Sequence, residues 1–286
     1  MASLKEVKGR IASVNNTRKI TSAMKMVASA KLHKAQGTIE QILPYERRLH
    51  RMLTDFLSGT SQVSSPFVDV RPVERVALVV FSSNTSLCGA FNSNVIRLVE
   101  KTLKEYAALG KEHIRLYPVG RKITEALQKQ GYQPEADFTA LADKPNYHDA
   151  AALAQQLMDL FLRKEVDRVE LVYHHFKSTA VQQLRREAFL PVDLSAASAS
   201  SEASEYLIEP SAEELLEQLL PKVIRLKLFT VLSDTNAAEH AARTVAMQVA
   251  TDNANELLQE LTVMYNKTRQ QAITSELLDI VGGQMA

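Results

Sequence analysis

The chain has 286 residues, 45% of them hydrophobic and 23% charged, with nine Gly, nine Pro and one Cys, a composition that builds one large or two modest folded domains and excludes a disordered chain. The longest unbroken apolar run, Val76 to Phe81, falls far short of the ~20 residues a membrane-spanning helix needs. The start, MASLKEVKGR, lacks the apolar stretch of a secretory signal, and the lone Cys88 excludes an intramolecular disulfide and a Cys-based zinc site, so a cytosolic setting is the simplest reading. The formal net charge of +1 hides an asymmetry. Residues 1–34 carry eight Lys/Arg (Lys5, Lys8, Arg10, Arg18, Lys19, Lys25, Lys31, Lys34) against Glu6, or +7, while the remainder holds 26 basic and 32 acidic residues, or −6. A basic arm on an acidic body calls for an anionic partner or for self-attraction.

Residues 4–57 contain only Gly9, Gly37 and Pro44 as helix breakers. Leu4, Val7, Ile11 and Val14 recur at coiled-coil spacing. The apolar stripe then shifts through Ile20, Met24 and Val27, as at a stutter. It resumes as Leu32, Ala35, Ile39, Ile42, Leu49, Leu53 and Phe56, with Glu46 in one seam position. Pro44 favours some kinking. Strands are expected over 75–82, 113–119, 167–176 and 180–190, and helices over 94–109, 121–130 and 149–163. Strands alternating with helices give an α/β layer with a largely parallel sheet. The Ala/Ser-rich 195–204 reads as a loop. Residues 222–281 have neither Gly nor Pro, and Ala250, Ala254, Leu257, Leu261 and Met264, then Ile273, Leu277 and Ile280, keep a helical period.

Length makes this architectural. The two terminal helices would span roughly 80 and 90 Å, whereas a compact globule of this size has a radius of gyration of about 19 Å. Such helices must project, and each supplies the other's partner as a long antiparallel coiled coil. The fold class read from the chain is therefore an α/β central domain plus that coiled coil. Its divisions are a helix over 1–57, a linker over 58–74, an α/β, Rossmann-like domain over 75–210 and a helical region over 211–286.

Chemistry is sparse. The loop after the first central strand, 82–92, stands where open α/β sheets bind ligands, yet it holds one Gly and no G-x-G-x-x-G spacing. A tight turn packing a helix on the sheet is the plainer reading. Cys88 reads as a small buried hydrophobe, because no neighbouring His or acid activates it. His174 and His175 are adjacent on a strand and point to opposite faces. Asp149, after Tyr147 and His148, reads as an N-cap or a helix-dipole partner. No catalytic residue, metal site or cofactor is expected.

The two ends are more specific. Lys19-Ile-Thr-Ser-Ala-Met24-Lys-Met-Val-Ala-Ser-Ala-Lys31, Ser86-Leu87-Cys88-Gly89-Ala-Phe-Asn92, Ala250-Thr-Asp252-Asn253-Ala254 and Tyr265-Asn266-Lys267-Thr-Arg269-Gln270-Gln-Ala-Ile273-Thr274-Ser-Glu276-Leu277 stand in this order along the chain. Over nearly its whole length the chain resembles the gamma subunits of bacterial-type rotary ATP synthases. The resemblance implies a non-catalytic central-stalk rotor. Its coiled-coil shaft would fill a ring of alpha and beta subunits, and its foot would bind the epsilon subunit and the ring of c subunits. Proton flow would thereby be coupled to ATP synthesis or hydrolysis at the cytoplasmic face of the bacterial inner membrane. Carried over residue by residue, Met24, Arg269, Gln270 and Thr274 would face the beta subunits, and Glu205 and Tyr206 would lie in the foot near the c ring. Asn84 and Ser86 depart from the Asp and Gly usual in that loop, and Gln284 from the usual Ala. A basic coiled-coil scaffold for nucleic acid is the alternative class. The few aromatics, the lack of a recognition module and the near-neutral total charge count against it.

Overall fold

The structure is a computed structural model and describes residues 3–59, 65–192 and 212–283. Its order is α1 (Leu4–Gly59), β1 (Val76–Phe81), α2 (Phe91–Glu105), β2 (Ile114–Val119), α3 (Arg121–Lys129), α4 (Thr139–Asp143), α5 (Tyr147–Leu162), β3 (Arg168–Phe176), β4 (Gln182–Leu190) and α6 (Ala212–Gly283). The sheet runs β2-β1-β3-β4. β1 is parallel to β2 and to β3, and β4 closes the edge antiparallel to β3.

β1 is buried along its whole length because both faces are covered. Its residues divide with period two. Ala77, Val79 and Phe81 point into a core with α5, the first third of α6 and Leu49 and Leu53 of α1. Val76, Leu78 and Val80 point the other way, onto Val95 and Val99 of α2 and Ile123 and Leu127 of α3. The first core includes Leu216, Leu220, Ile224, Leu228 and Leu232. The lower part of α6 is therefore at once a covering layer of the sheet and one strand of the coiled coil. At roughly 1.5–3 kcal/mol per fully buried large aliphatic side chain, this shared core fastens the α/β domain to the two long helices.

α1 and α6 run antiparallel in one constant register. Arg18 faces Asn255, Thr21 faces Thr251, and Leu32 and Ala35 cluster with Ala237 and Ala241. The α1 seam is an unbroken heptad through Val7, Ile11, Val14, Arg18, Thr21, Lys25, Ala28, Leu32, Ala35, Ile39, Ile42, Glu46, Leu49 and Leu53, all buried or half-buried. The expected stutter is thus absent. Ile20 and Val27 are 60% and 57% exposed, while Thr21 and Ala28 take the seam. Small residues let the helices close in, and the two Thr hydroxyls satisfy each other at 2.8 Å. The α6 seam is corrected likewise. Ala254 and Leu261 are buried, but Leu257, Met264, Ile273, Leu277 and Ile280 are exposed. Met247, Thr251, Leu258, Tyr265 and Thr268 fill the intervening seam positions.

Both helices continue through a proline, Pro44 in α1 and Pro221 in α6. Each Pro removes one backbone donor, and packing at Ile42 and Leu49, and at Leu220 and Ile224, holds the helices together across the gap. α2 starts at Phe91, three residues before the expected helix, and 107–109 is a separate 3-10 turn. α5 is capped by Asn146, whose Oδ1 accepts the Asp149 N–H at 2.8 Å, so Asp149 is not the N-cap. It sits in the first turn, where its charge favours the helix dipole. The expected 195–204 loop and the side chain of Phe56 lie outside the described residues.

Candidate functional site: the shaft surface

The coiled-coil register places the candidate residues. Extended from Thr21–Thr251 and Arg18–Asn255, it brings Arg269 level with the start of α1 at Leu4. From Gln270 to Gly283, roughly 20 Å, α6 has no stretch of α1 beside it. Arg269, Gln270 and Thr274 are all exposed there, and the Thr274 hydroxyl donates to the Gln270 carbonyl at 2.9 Å. Ile273, Leu277, Leu278 and Ile280 are also exposed. A single helix presenting four large apolar side chains to water needs an enclosing surface.

Met24 lies elsewhere. It is half-buried beside the seam, level with 248–249 and about 30 Å along the axis from Arg269. The structure groups Arg269, Gln270 and Thr274 at the tip and leaves Met24 at mid-shaft. Around Met24 is a patch that periodicity misassigned to the seam. Ile20 and Val27 flank it on α1 and are 60% and 57% exposed. The signal was present in the sequence as an apolar stripe one step out of heptad phase. Six of the eight basic residues of 1–34, Lys5, Lys8, Arg10, Lys19, Lys31 and Lys34, are exposed along the first helix. Arg10 pairs with Glu6 at 3.0 Å. Glu205, Tyr206 and Gln284 lie outside the described residues.

The 82–92 loop forms a dense internal turn. The Ser82 hydroxyl accepts the Ile123 N–H at 3.1 Å at the start of α3. The Asn84 amide donates to the Thr139 carbonyl and accepts the Arg121 N–H, both at 2.8 Å. Arg121 adds two guanidinium bonds to the Asn84 carbonyl. The amides at the N-terminus of α3 that would bind an anion are thus occupied by the loop's own oxygens, the Asn84 and Ser82 side chains and the Ser83 carbonyl. Asn84 is the residue that makes this closure. Gly120 must be glycine, because its φ is +113° and a Cβ would lie 2.3 Å from the Ser82 carbonyl oxygen. Cys88 is buried, packing with Phe91 and Ala238, and the Asn92 amide approaches its sulfur at 3.2 Å. Arg243 of α6 reaches the Thr85 hydroxyl at 2.9 Å and Glu239 at 2.7 Å. The loop therefore docks the α/β domain against the shaft.

The two histidines diverge as read. His174 is 2% exposed and stacks on Phe91 at 4.2 Å, and burial pushes its pKa down to about 4. His175 turns to α6 and meets Asp234 at 2.6 Å.

A family model described as ATP synthase matches residues 3–286. An ATP synthase gamma chain of Phocaeicola vulgatus is 64% identical over all of both chains. One from Bacteroides fragilis is 63% identical, again over all of both. Among solved structures, a chain of the Euglena gracilis mitochondrial ATP synthase (OSCP/F1/c-ring, rotational state 3) superposes with a TM-score of 0.68 at 22% identity. It covers 99% of this chain and 93% of that one. A chain of the Tetrahymena thermophila mitochondrial ATP synthase central stalk and c ring gives a TM-score of 0.57 at 23% identity, over 81% and 99%. The long paired helices, the α/β domain clasped between them and a match along the whole sequence together place this chain in the ATP synthase gamma-chain family.

Proposed function

We propose that this chain is the non-catalytic central-stalk rotor of a bacterial proton-translocating ATP synthase. The observation that carries the reading is the unpaired end of α6, a bare helix with Ile273, Leu277, Leu278 and Ile280 exposed. Such a tip is stable in water only inside a sleeve. The curved inner wall of a ring of alpha and beta subunits is the sleeve that family membership supplies. On this reading 1–57 and 211–286 are the shaft, 58–74 links it to the α/β domain, and 75–210 is the foot.

Met24 at mid-shaft and Arg269, Gln270 and Thr274 at the tip are the contacts to the beta subunits. Arg269 suits bidentate pairing with a carboxylate. The exposed lysines of the first helix face acidic loops of the same ring. The foot meets the epsilon subunit and the c ring, with Glu205 and Tyr206 near the latter, and holds the chain at the cytoplasmic face of the inner membrane through the complex. Because the shaft has no threefold symmetry, each beta subunit meets a different surface at any angle. Turning the shaft then moves the conformational bias from one site to the next.

Met24→Lys tests the mid-shaft contact. A cation among Ile20, Val27 and Lys25 would form an ion pair with a ring carboxylate at some angles, adding more than the ~1 kcal/mol of an exposed pair where the interface is dry. In reconstituted vesicles, ATP hydrolysis should survive while protons pumped per ATP fall. An unchanged ratio would remove Met24 from the coupling surface and leave it as packing.

A further inference from the structure

We infer that the end of β3, His175–Phe176, locked by Asp234 of α6, is the keyed joint that carries torque between the α/β domain and the shaft. The inference rests on the rotor reading above and names the residues on which that rotor bears its load.

Asp234 stands where α6 changes role. Below it, Leu216 to Leu232 belong to the core of the α/β domain. Above it, Ala237 and Ala241 pair with Leu32 and Ala35 of α1, and Ala238 packs on Cys88 and Phe91. At this transition the two oxygens of Asp234 are divided. Oδ1 accepts the Phe176 backbone N–H at 2.8 Å, and Oδ2 meets His175 Nδ1 at 2.6 Å. The carboxylate is 14% exposed, so water competes little for it.

The Phe176 side chain extends the lock. It packs against both the α1/α6 cluster of Leu32, Ala35, Ala237 and Ala241 and the loop cluster of Cys88, Phe91 and Ala238. One residue at a strand end thus packs on the clusters of both the shaft helices and the docking loop, with its backbone amide held by a half-buried carboxylate. Around this lock the packing is mainly aliphatic, with Arg243 to Thr85 as a further polar tie. Aliphatic packing is non-directional and resists separation better than sliding. A charge-assisted bond to a backbone amide is directional and stronger than a neutral one. Twisting the foot about the shaft must break it or draw Phe176 from its wedge.

Asp234 is accordingly a positioning residue, with no part in nucleotide chemistry. The other polar ties across this boundary include Arg243 to the Thr85 hydroxyl at 2.9 Å and carbonyl at 3.5 Å and the single bond of Asn236 to the Ala142 carbonyl at 3.3 Å, which makes Asn236→Ala the control.

The test uses the assembled complex with a bead on the α/β domain and the catalytic ring stalled by a non-hydrolysable ATP analogue. Torsional stiffness is read from the bead's angular fluctuations. Asp234→Ala should lower the stiffness at least twofold, and reduce protons pumped per ATP in vesicles, with ATP hydrolysis by the unloaded complex within twofold of the parent. Asp234→Asn keeps an acceptor for the Phe176 amide and loses the anion, so it should fall between. Asn236→Ala should match the parent. If Asp234→Ala fails to assemble, Asp234→Asn alone decides, and parental stiffness in it overturns the inference. Parental stiffness and pumping ratio in Asp234→Ala, with only a lower melting temperature, would make Asp234 merely structural. A parent complex that hydrolyses ATP without turning the bead would instead defeat the rotor reading itself.

Discussion

Leu257 and Leu261 are the same residue type one helical turn apart on α6, and the structure gives them opposite fates. Leu261 is 6% exposed in the seam, and Leu257 is 43% exposed on its flank. Leu261→Asp should destabilise the isolated chain by about 3 kcal/mol or more, combining lost packing with a buried charge. Leu257→Asp should stay within about 0.5 kcal/mol. Thermal melting followed by circular dichroism checks both, and equal losses would refute the seam assignment. The sequence stripe had both in the seam, because apolar character alone marks candidates and the true line includes Thr251, Tyr265 and Thr268. Only the partner's position separates a buried leucine from one reserved for another surface. The same ambiguity hid the exposure of Ile20 and Val27, whereas Met24, Arg269, Gln270 and Thr274 were singled out by a shared motif and not by any local physical signal.

Elements differed in how clearly they were written. β1 stood out because Val76–Phe81 is a continuous, Val-rich apolar run, β3 because apolar and polar residues alternate at its start, and the long helices because breakers are scarce. α4 went unseen, since the five residues of Thr139–Asp143 are too short to show a period. The end of β1 depends on a detail that no pattern reveals, the approach of the Gly120 backbone to Ser82. Gly120→Ala would require a +113° φ in a residue with a Cβ and a displaced Ser82 carbonyl. It should cost roughly 2 kcal/mol or more and loosen the start of α3, where Ser82 accepts the Ile123 amide. Hydrogen exchange should show lost protection at 120–124. Parental protection and melting would mean that the turn adapts at no cost.

For the whole molecule, the union of foot and shaft has a pH signature. His174 and His240 lie buried at this junction, and desolvation holds both near pKa 4 against an ordinary 6.5, with Arg243 and Lys31 adding to the effect at His240. A folded pKa below the unfolded one means that the unfolded chain takes up protons first. The stabilisation is complete above about pH 6.5 and is lost as pH falls toward 4. Asp234 and Glu239, raised by burial, act in the opposite sense, so a comparison of variants isolates the histidine. His174→Phe keeps a ring on Phe91 and removes the titration. Its loss of stability between pH 7 and 4.5 should be smaller than the parent's by about 2 kcal/mol. Parallel pH profiles would show that His174 does not titrate against folding.

The central claim is that this chain turns as a unit within a fixed ring, and a single probe reads it. Cys88 is buried, so Lys129→Cys on the exposed end of α3 offers one reactive thiol for a bead. With the alpha and beta subunits anchored and ATP supplied, the bead should rotate in one direction in three equal steps per turn. A bead that stays still while the complex hydrolyses ATP at its normal rate would contradict the account.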